Sequence, residues 1–356
     1  MGHIAVGISG GVDSAVAASL LIEEGYDVEG IFMKNWEEDS EYCTVEKDYK
    51  DALQVCDVLD IPLRSVNFAK EYWEKVFQYF LEEYKNGRTP NPDIMCNSEI
   101  KFKEFLKYAI DLGADKIATG HYVRSNILQD SVELLKGLDK GKDQSYFLHT
   151  LTQKQLSKSL FPLGELNKAQ VREHAEKKGF NNFNKKDSVG ICFIGERNFK
   201  NFLKDYLPSK PGKIVTESGK KIGAHDGLMF HTIGQRKGLK IGGGNGDNSN
   251  AWYVIEKDIN HNELIVGQGH NHPLLYKKNI EVSKIHWINN EKKELGELSA
   301  KIRYRASDHK CSITELKDGQ ALIEFEVPQF AIANGQSVVF YNDEICLGGA
   351  TINSSF

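Results

Sequence analysis

No cysteine pair in this chain has the spacing of a metal site. The six cysteines, Cys43, Cys56, Cys96, Cys192, Cys311 and Cys346, include no C-x-x-C and are too sparse over 356 residues for a disulfide scaffold, so thiols are expected. No apolar run approaches the ~18 to 20 residues of a membrane helix, and neither internal repeats nor low-complexity segments are visible. A candidate strand begins within three residues of the start and leaves no room for a leader, so a cytoplasmic protein without a membrane partner is the expectation. The first glycine turn has neither the G-x-x-x-x-G-K-[ST] nor the G-x-G-x-x-G spacing, which excludes the common ATPase loop and the dinucleotide fingerprint there. Acidic excess is also slight. The net charge is −5, yet residues 136–221 hold 18 Lys and Arg against 9 Asp and Glu, a local +9 that leaves −14 elsewhere. This basic island reads either as a track for phosphates or as solvated helical faces such as Lys177-Lys178 and Lys185-Lys186.

What is present begins with Ser9-Gly10-Gly11-Val12-Asp13-Ser14, directly after the apolar run Ile4 to Ile8 and before an alanine-rich helical stretch. Two glycines let the backbone turn tightly and approach an anion, and the serine hydroxyls add donors where a helix begins. The helix N-terminus would face the phosphates of a nucleotide. Around this turn the first half alternates candidate strands (His3 to Ile8, Asp27 to Met33, Leu63 to Asn67, Lys116 to Thr119) with candidate helices near Ser14 to Glu24, Glu46 to Leu59, Lys70 to Asn86 and Ile100 to Leu112. That is the pattern of an α/β doubly wound parallel sheet, whose ligand sits at the carboxyl ends of the strands, where Gly7 to Ser14, Met33 to Trp36 and Gly120-His121-Tyr122 all fall. After about residue 205, Pro208, Pro211 and Gly212 break the helical pattern, and Gly242 to Gly246 reads as a flexible loop. Alternating runs at Ala300 to Tyr304, Ala321 to Val327 and Ser337 to Tyr341 suggest a small antiparallel β-barrel. Three units are expected: a catalytic domain (1–205), a central β-rich module (206–275) and a C-terminal barrel-like domain (276–356).

Two cysteines stand out for chemistry. Cys96 lies in Thr89-Pro90-Asn91-Pro92-Asp93-Ile94-Met95-Cys96-Asn97, whose two prolines and two asparagines are expected to fix an irregular turn that displays the thiol. Cys192 lies in Gly190-Ile191-Cys192-Phe193-Ile194-Gly195-Glu196-Arg197, where Arg197 could favour a thiolate. Cys56 falls on an apolar helix stripe. For Cys96 and Cys192 a buried structural thiol stays open as the alternative. Asp93 is either an acid–base group or a turn-former, and Asp13 either helps to place a metal or caps a helix.

With Phe32-Met33-Lys34-Asn35-Trp36, Lys142-Asp143-Gln144-Ser145-Tyr146-Phe147, His231 to Gly238, Arg303-Tyr304 and Gly335-Gln336 added, the chain resembles the bacterial tRNA-specific 2-thiouridylases of the ATP pyrophosphatase (PP-loop) superfamily nearly end to end. The glycine loop is shared with many ATP pyrophosphatases; the two cysteine motifs are far more specific. The resemblance implies ATP, with Mg2+, held by Gly7, Ile8, Ser9, Gly10, Gly11, Val12, Asp13, Ser14, Met33 and Gly120. It implies tRNA contacts at Asn91, Pro92, Asp93, His121, Lys142, Asp143, Gln144, Arg303, Tyr304 and Gln336. It further implies that the C2 oxygen of the wobble uridine is adenylated, that Cys192 carries a persulfide, and that Cys96 is the nucleophile that resolves it, leaving a Cys96–Cys192 disulfide. A sulfur donor, either a cysteine desulfurase or a relay protein, must load Cys192. Val189 stands where the family usually has Thr. A ligase-type ATP pyrophosphatase acting on a small molecule, and a non-catalytic tRNA-binding protein, are the competing readings.

Overall fold

The computed structural model describes residues 2–37, 45–186, 199–241, 250–289, 298–316 and 319–356. Five parallel strands form the first sheet in the order β3-β2-β1-β4-β7: β1 His3–Gly7, β2 Asp27–Lys34, β3 Leu63–Asn67, β4 Lys116–Ala118 and β7 Ser159–Leu160. The apolar runs at β1 and β2 are buried over almost their whole length, as expected of a sheet covered on both faces. Strand order reverses between β1 and β4, so a crevice opens beyond their carboxyl ends. Helix α1, Val12–Glu23, carries Ala and Ser on nearly every side and is buried on nearly every side, between the sheet and the helix Lys168–Lys177.

All four strands and the first three helices lie where periodicity puts them. The region around Cys96 does not. Instead of an irregular turn, a continuous helical segment runs from residue 92 to 111 through Pro92–Met95, a π-helical stretch Cys96–Phe105 and Leu106–Asp111. Pro92 occupies the first helical position, and the side chain of Asn91 accepts the N–H of Asp93 at 3.1 Å. The residues that suggest a turn are therefore helix-start residues. Cys96 is 3 % exposed, within the largest core cluster rather than displayed.

A second sheet, β10-β11-β8-β9, builds the central module from β8 Gly212–Thr216, β9 Lys221–His225, β10 Trp252–Asp258 and β11 Glu263–Gln268. The third sheet contains a closed six-stranded barrel in the order β12-β15-β14-β13-β16-β17, built from β12 Tyr276–Trp287, β13 Leu298–Lys301, β14 His309–Glu315, β15 Ala321–Phe330, β16 Ser337–Asn342 and β17 Ile345–Ser355, with β12 pairing back to β17. The first of the three expected alternating runs, Ala300 to Tyr304, begins and ends earlier in the structure, since β13 spans Leu298–Lys301. The hairpin β5 Val123–Ile127 and β6 Val132–Lys136 leaves the first domain and extends the barrel through Leu134↔Cys346 and Leu135↔Ile345. First and last units thus share one sheet. The glycine run at 242–246 lies outside the described residues.

Candidate functional site: a glycine loop and a three-module junction

At the end of β1 the chain turns through Ser9, Gly10 and Gly11 into α1. Gly10 has φ +73°, and a Cβ there would lie 2.3 Å from the backbone oxygen of Asp48. Only glycine fits. Ser14 is buried and shapes the loop: its hydroxyl donates to Gly11 O at 3.1 Å and accepts Ser9 N–H at 3.1 Å. Ser9 is the exposed residue of the turn. Gly120, beyond β4, lies so close that its Cβ would come within 2.8 Å of the Asp13 carbonyl carbon, and Gly7 faces Met33 Cε across the sheet end. Gly7 to Ser14, Met33 and Gly120 therefore converge at the crevice between β1 and β4, and α1 enters it N-terminus first.

Asp13 does not cap α1, to which it makes no capping bond. Its carboxylate receives Lys168 Nζ at 2.7 and 2.9 Å and the Tyr122 hydroxyl at 2.6 Å, which hold it beside the loop. Lys185 does not lie on a solvated face: its amine donates to Gly10 O at 3.1 Å, to Asp48 at 2.9 Å and to Asp51 at 2.5 Å, while Asn182 Nδ2 donates to the same Gly10 oxygen at 3.1 Å. Sequence inspection finds no lysine after the glycines. The fold supplies two from about 155 and 175 residues away, a proximity that no local pattern encodes. Lys177 and Lys178 do lie on exposed faces, each with a glutamate partner.

The segment from Thr89 to Cys96 is the second centre. Thr89 joins three units: its N–H donates to Asn334 O at 2.8 Å, its carbonyl accepts Gln336 Nε2 at 2.6 Å, and its hydroxyl meets that of Thr232 at 3.4 Å. Two residues on, the helix begins, bringing Asp93 and Cys96 one turn apart. Desolvation pushes the Asp93 carboxyl above its usual range, against the opposing pull of Lys101. Asn97 Oδ1 is buried with no partner among the described residues, and its amide nitrogen reaches Phe147 O at 3.4 Å. Tyr304 packs on Phe147 with ring centroids 4.3 Å apart. Arg303 bridges central module and barrel by donating to Ile233 O at 3.1 Å and to Ala331 O.

Other expected contact residues face inward. His121 is buried, with Nδ1 2.8 Å from Thr119 Oγ1, and burial holds it neutral. Asp143 is buried and accepts Gly137 N–H, Ser145 N–H and the Ser145 hydroxyl, each at 3.1 Å, and pairs with Lys301 at 3.3 Å. Gln144 Oε1 accepts Tyr122 N–H at 2.9 Å, and Lys142 is half-buried beside them. Of the remaining thiols, burial pushes Cys56 up to about 11 and Cys311 and Cys346 up to about 12, which makes them inert. Cys43, Val189, Cys192 and Arg197 lie outside the described residues.

Three family descriptions match successive parts of the chain: "tRNA methyl transferase HUP domain" over residues 2–196, "tRNA methyl transferase PRC-barrel domain" over 200–268 and "Aminomethyltransferase beta-barrel domain" over 277–352. Relatives named tRNA-specific 2-thiouridylase MnmA include that of Pseudomonas savastanoi pv. phaseolicola, 57% identical over 355 residues (99% of this chain, 94% of the relative). That of Methylococcus capsulatus is 55% identical over 359 residues (99% and 97%). Among solved structures, the U34-tRNA thiolase NcsA from Methanococcus maripaludis, with its [4Fe-4S] cluster, matches 57% of this chain and 63% of its own at 21% identity and TM-score 0.36. A 4-thiouridine synthetase–RNA complex with bound ATP matches 58% and 50% at 20% identity and TM-score 0.37. The end-to-end identity to the curated relatives decides the matter: this chain belongs to the tRNA-specific 2-thiouridylase family.

Proposed function

We propose that this protein is a tRNA-uridine 2-sulfurtransferase that uses ATP to replace the C2 oxygen of the wobble uridine with sulfur, in the cytoplasm. The observation that carries this reading is 57% identity across 99% of the chain to proteins named tRNA-specific 2-thiouridylase. In this reading residues 1–205 do the chemistry, while 206–275 and 276–356 hold the RNA.

ATP lies with its phosphates against the N-terminus of α1, within reach of the backbone N–H groups of the Ser9 to Ser14 turn. When bound, magnesium would neutralise charge on those phosphates, and Asp13, paired with Lys168, is the carboxylate that the loop itself carries. The C2 oxygen attacks the α-phosphorus and pyrophosphate leaves, so the C2–O bond becomes one that AMP can take away. Flipping a base from an anticodon loop costs only a few kcal/mol, and Asn91, Pro92 and Asp93 stand at the start of the reaction helix to receive it. A persulfide on Cys192 then attacks C2 with its terminal sulfur, and AMP departs with the oxygen. The Cys96 thiolate attacks Cys192 Sγ, breaking the S–S bond to the base. Thiouridine is released, a Cys96–Cys192 disulfide remains, and a thiol reductant supplies the two electrons that reopen it. Asp93, whose raised affinity for a proton suits it to donate one, is the acid–base group. Lys186, one residue beyond the amine pinned to Gly10, stands six residues before Cys192, a reach of up to about 20 Å.

The test is nucleoside mass spectrometry of tRNA incubated with the protein, ATP, magnesium and a sulfide source. Thiouridine at the wobble position is expected from the wild type, and none from Cys192→Ser, which keeps its ATP affinity. Normal thiolation by that variant would remove the persulfide step from the mechanism.

A further inference from the structure

A cleft of about 400 Å³ lies where the three modules meet, between Asn86–Thr89 at the end of the helical segment 69–85, Ile255–Lys257 on β10 and Ile332–Asn334 on the barrel. None of its lining residues belongs to the glycine loop. It adjoins the reaction helix instead, since Thr89 forms part of its wall and stands two residues before Asn91.

The unusual group in this cleft is Lys257. Its side chain is half-buried in the cleft wall, and its amine makes one hydrogen bond, to Gly87 O at 3.0 Å. No carboxylate pairs with it among the described residues, and burial alone pulls it down to about 8. The other acid–base groups facing the cleft do not cancel it. Arg88 is already paired with Glu83, Glu256 on the same strand is exposed to solvent, and Lys277 on β12 adds a second cation with no acidic partner among the described residues. A half-buried ammonium held by one carbonyl and facing a cleft keeps donors and charge for an anion that enters it. Around it, Asn86, Asn334 and Ser355 offer amide and hydroxyl donors of the kind that meet phosphate oxygens at RNA interfaces, while the Ser354 hydroxyl donates to Glu281 at 3.0 Å. The volume suits a nucleotide-sized group.

We propose that this cleft is a phosphate subsite for the RNA backbone: Lys257, backed by Lys277 and the surrounding amides and hydroxyls, takes a phosphodiester of the bound tRNA and so aligns the RNA with the helix that carries Asp93 and Cys96. The proposal rests on the tRNA-modifying reading given above. A free phosphate would use the same chemistry, and the experiment separates the two sources.

The full-length protein is compared with Lys257→Met and Lys257→Arg for binding of labelled tRNA across a salt series, with ATP binding and Tm as controls. Lys257→Met is expected to fold as well as the wild type or better, because it removes a half-buried charge that lacks an acidic partner. It should bind ATP normally and tRNA about tenfold more weakly at low salt, with the slope of log K against log salt smaller by about one. Lys257→Arg should retain most of the affinity. Unchanged tRNA affinity and slope in Lys257→Met overturn the proposal. So does inorganic phosphate raising the Tm of the wild type but not of Lys257→Met while both bind tRNA equally, since the subsite would then serve a free anion. Failure of the wild type itself to bind tRNA would count against the parent reading rather than against this subsite alone.

Discussion

The glycine loop and the three-module junction are both built around half-buried cations, and they treat them in opposite ways. At the loop, Lys168 and Lys185 are matched by Asp13, Asp48 and Asp51, so their charges are spent on holding the loop in shape. At the junction, Lys257 and Arg303 meet carbonyl oxygens only. Carbonyls satisfy donors without neutralising charge, and burial lowers the proton affinity of both groups. A paired lysine makes a rigid cradle whose anion binding comes from backbone N–H groups and the helix end. A lysine without an acidic partner keeps its charge for a ligand. The same contrast qualifies the basic island in the sequence, since much of its excess charge is consumed by acids that fold back onto it, as at Lys136–Asp308 and Lys200–Asp226.

The sharpest way to break the loop side of this contrast is Gly10→Ala. The added Cβ must move away from Asp48 O while the residue keeps φ near +73°, at a cost of roughly 1–3 kcal/mol. Because the loop amides shift with it, ATP turnover is expected to fall on the order of a hundredfold, measured as kcat/KM for ATP. A variant with normal ATP kinetics would show that the loop does not hold the phosphates.

Acid acts on the junction side. Burial pulls His231 down to about 4, and it adjoins Thr232, whose hydroxyl touches Thr89. The unfolded chain takes up this proton near pH 6.5 and the folded chain only near pH 4, so the stability it contributes is present above 6.5 and lost as pH falls through that window, about 3 kcal/mol in all. His149, pulled down to about 3, acts in the same direction. His231→Phe should therefore show a shallower loss of Tm between pH 6.5 and 4 than the wild type. Parallel curves would mean that His231 titrates normally.

These two regions were not equally legible. The strand-end positions of Gly7 to Ser14, Met33 and Gly120 follow from hydrophobic periodicity and the switch-point rule, both local signals. The contacts of Lys168, Lys185, Asn182 and Tyr122 escape notice because their partners are more than 100 residues away, and charge patterning leaves Lys185 between a phosphate track and a solvated face. The ion pair of Asp13 escapes notice for the same reason: a carboxylate at a helix start suggests a cap, and the ammonium that it meets instead is 155 residues away. At Cys96 the local signal is ambiguous, since Asn-Pro-Asp serves a turn and a helix start equally well. What decides is the tertiary burial of Ile94, Cys96 and Ile100 in the core. The hairpin Val123–Ile127 and Val132–Lys136 reads locally as two strands of any sheet, and only its pairing with β17 ties it to the barrel.

Lys168→Met tests whether the paired lysine is structural. Asp13 would keep the Tyr122 hydroxyl and lose its counter-charge in a site where the lysine side chain is 13% exposed and the aspartate 31%. A loss of about 1–2 kcal/mol in stability is expected, with KM for ATP raised several-fold and tRNA affinity unchanged. A fall in tRNA affinity as large as that in ATP affinity would erase the distinction between the two regions.

The smallest effect belongs to Gln336→Ala, which removes the hydrogen bond from barrel to Thr89 O. The bond contributes about 1 kcal/mol, and water can replace the donor at this half-exposed site, so Tm should move by only a few degrees. Thr89 keeps its bonds to Asn334 and Thr232, but the start of the reaction helix loses one of its three anchors. If the junction aligns RNA with Asp93 and Cys96, kcat/KM for tRNA falls several-fold while KM for ATP stays fixed, because no element of the glycine loop touches Gln336. Equal changes in both constants would mean that the anchors at Thr89 stabilise the fold as a whole and carry no special relation to the RNA.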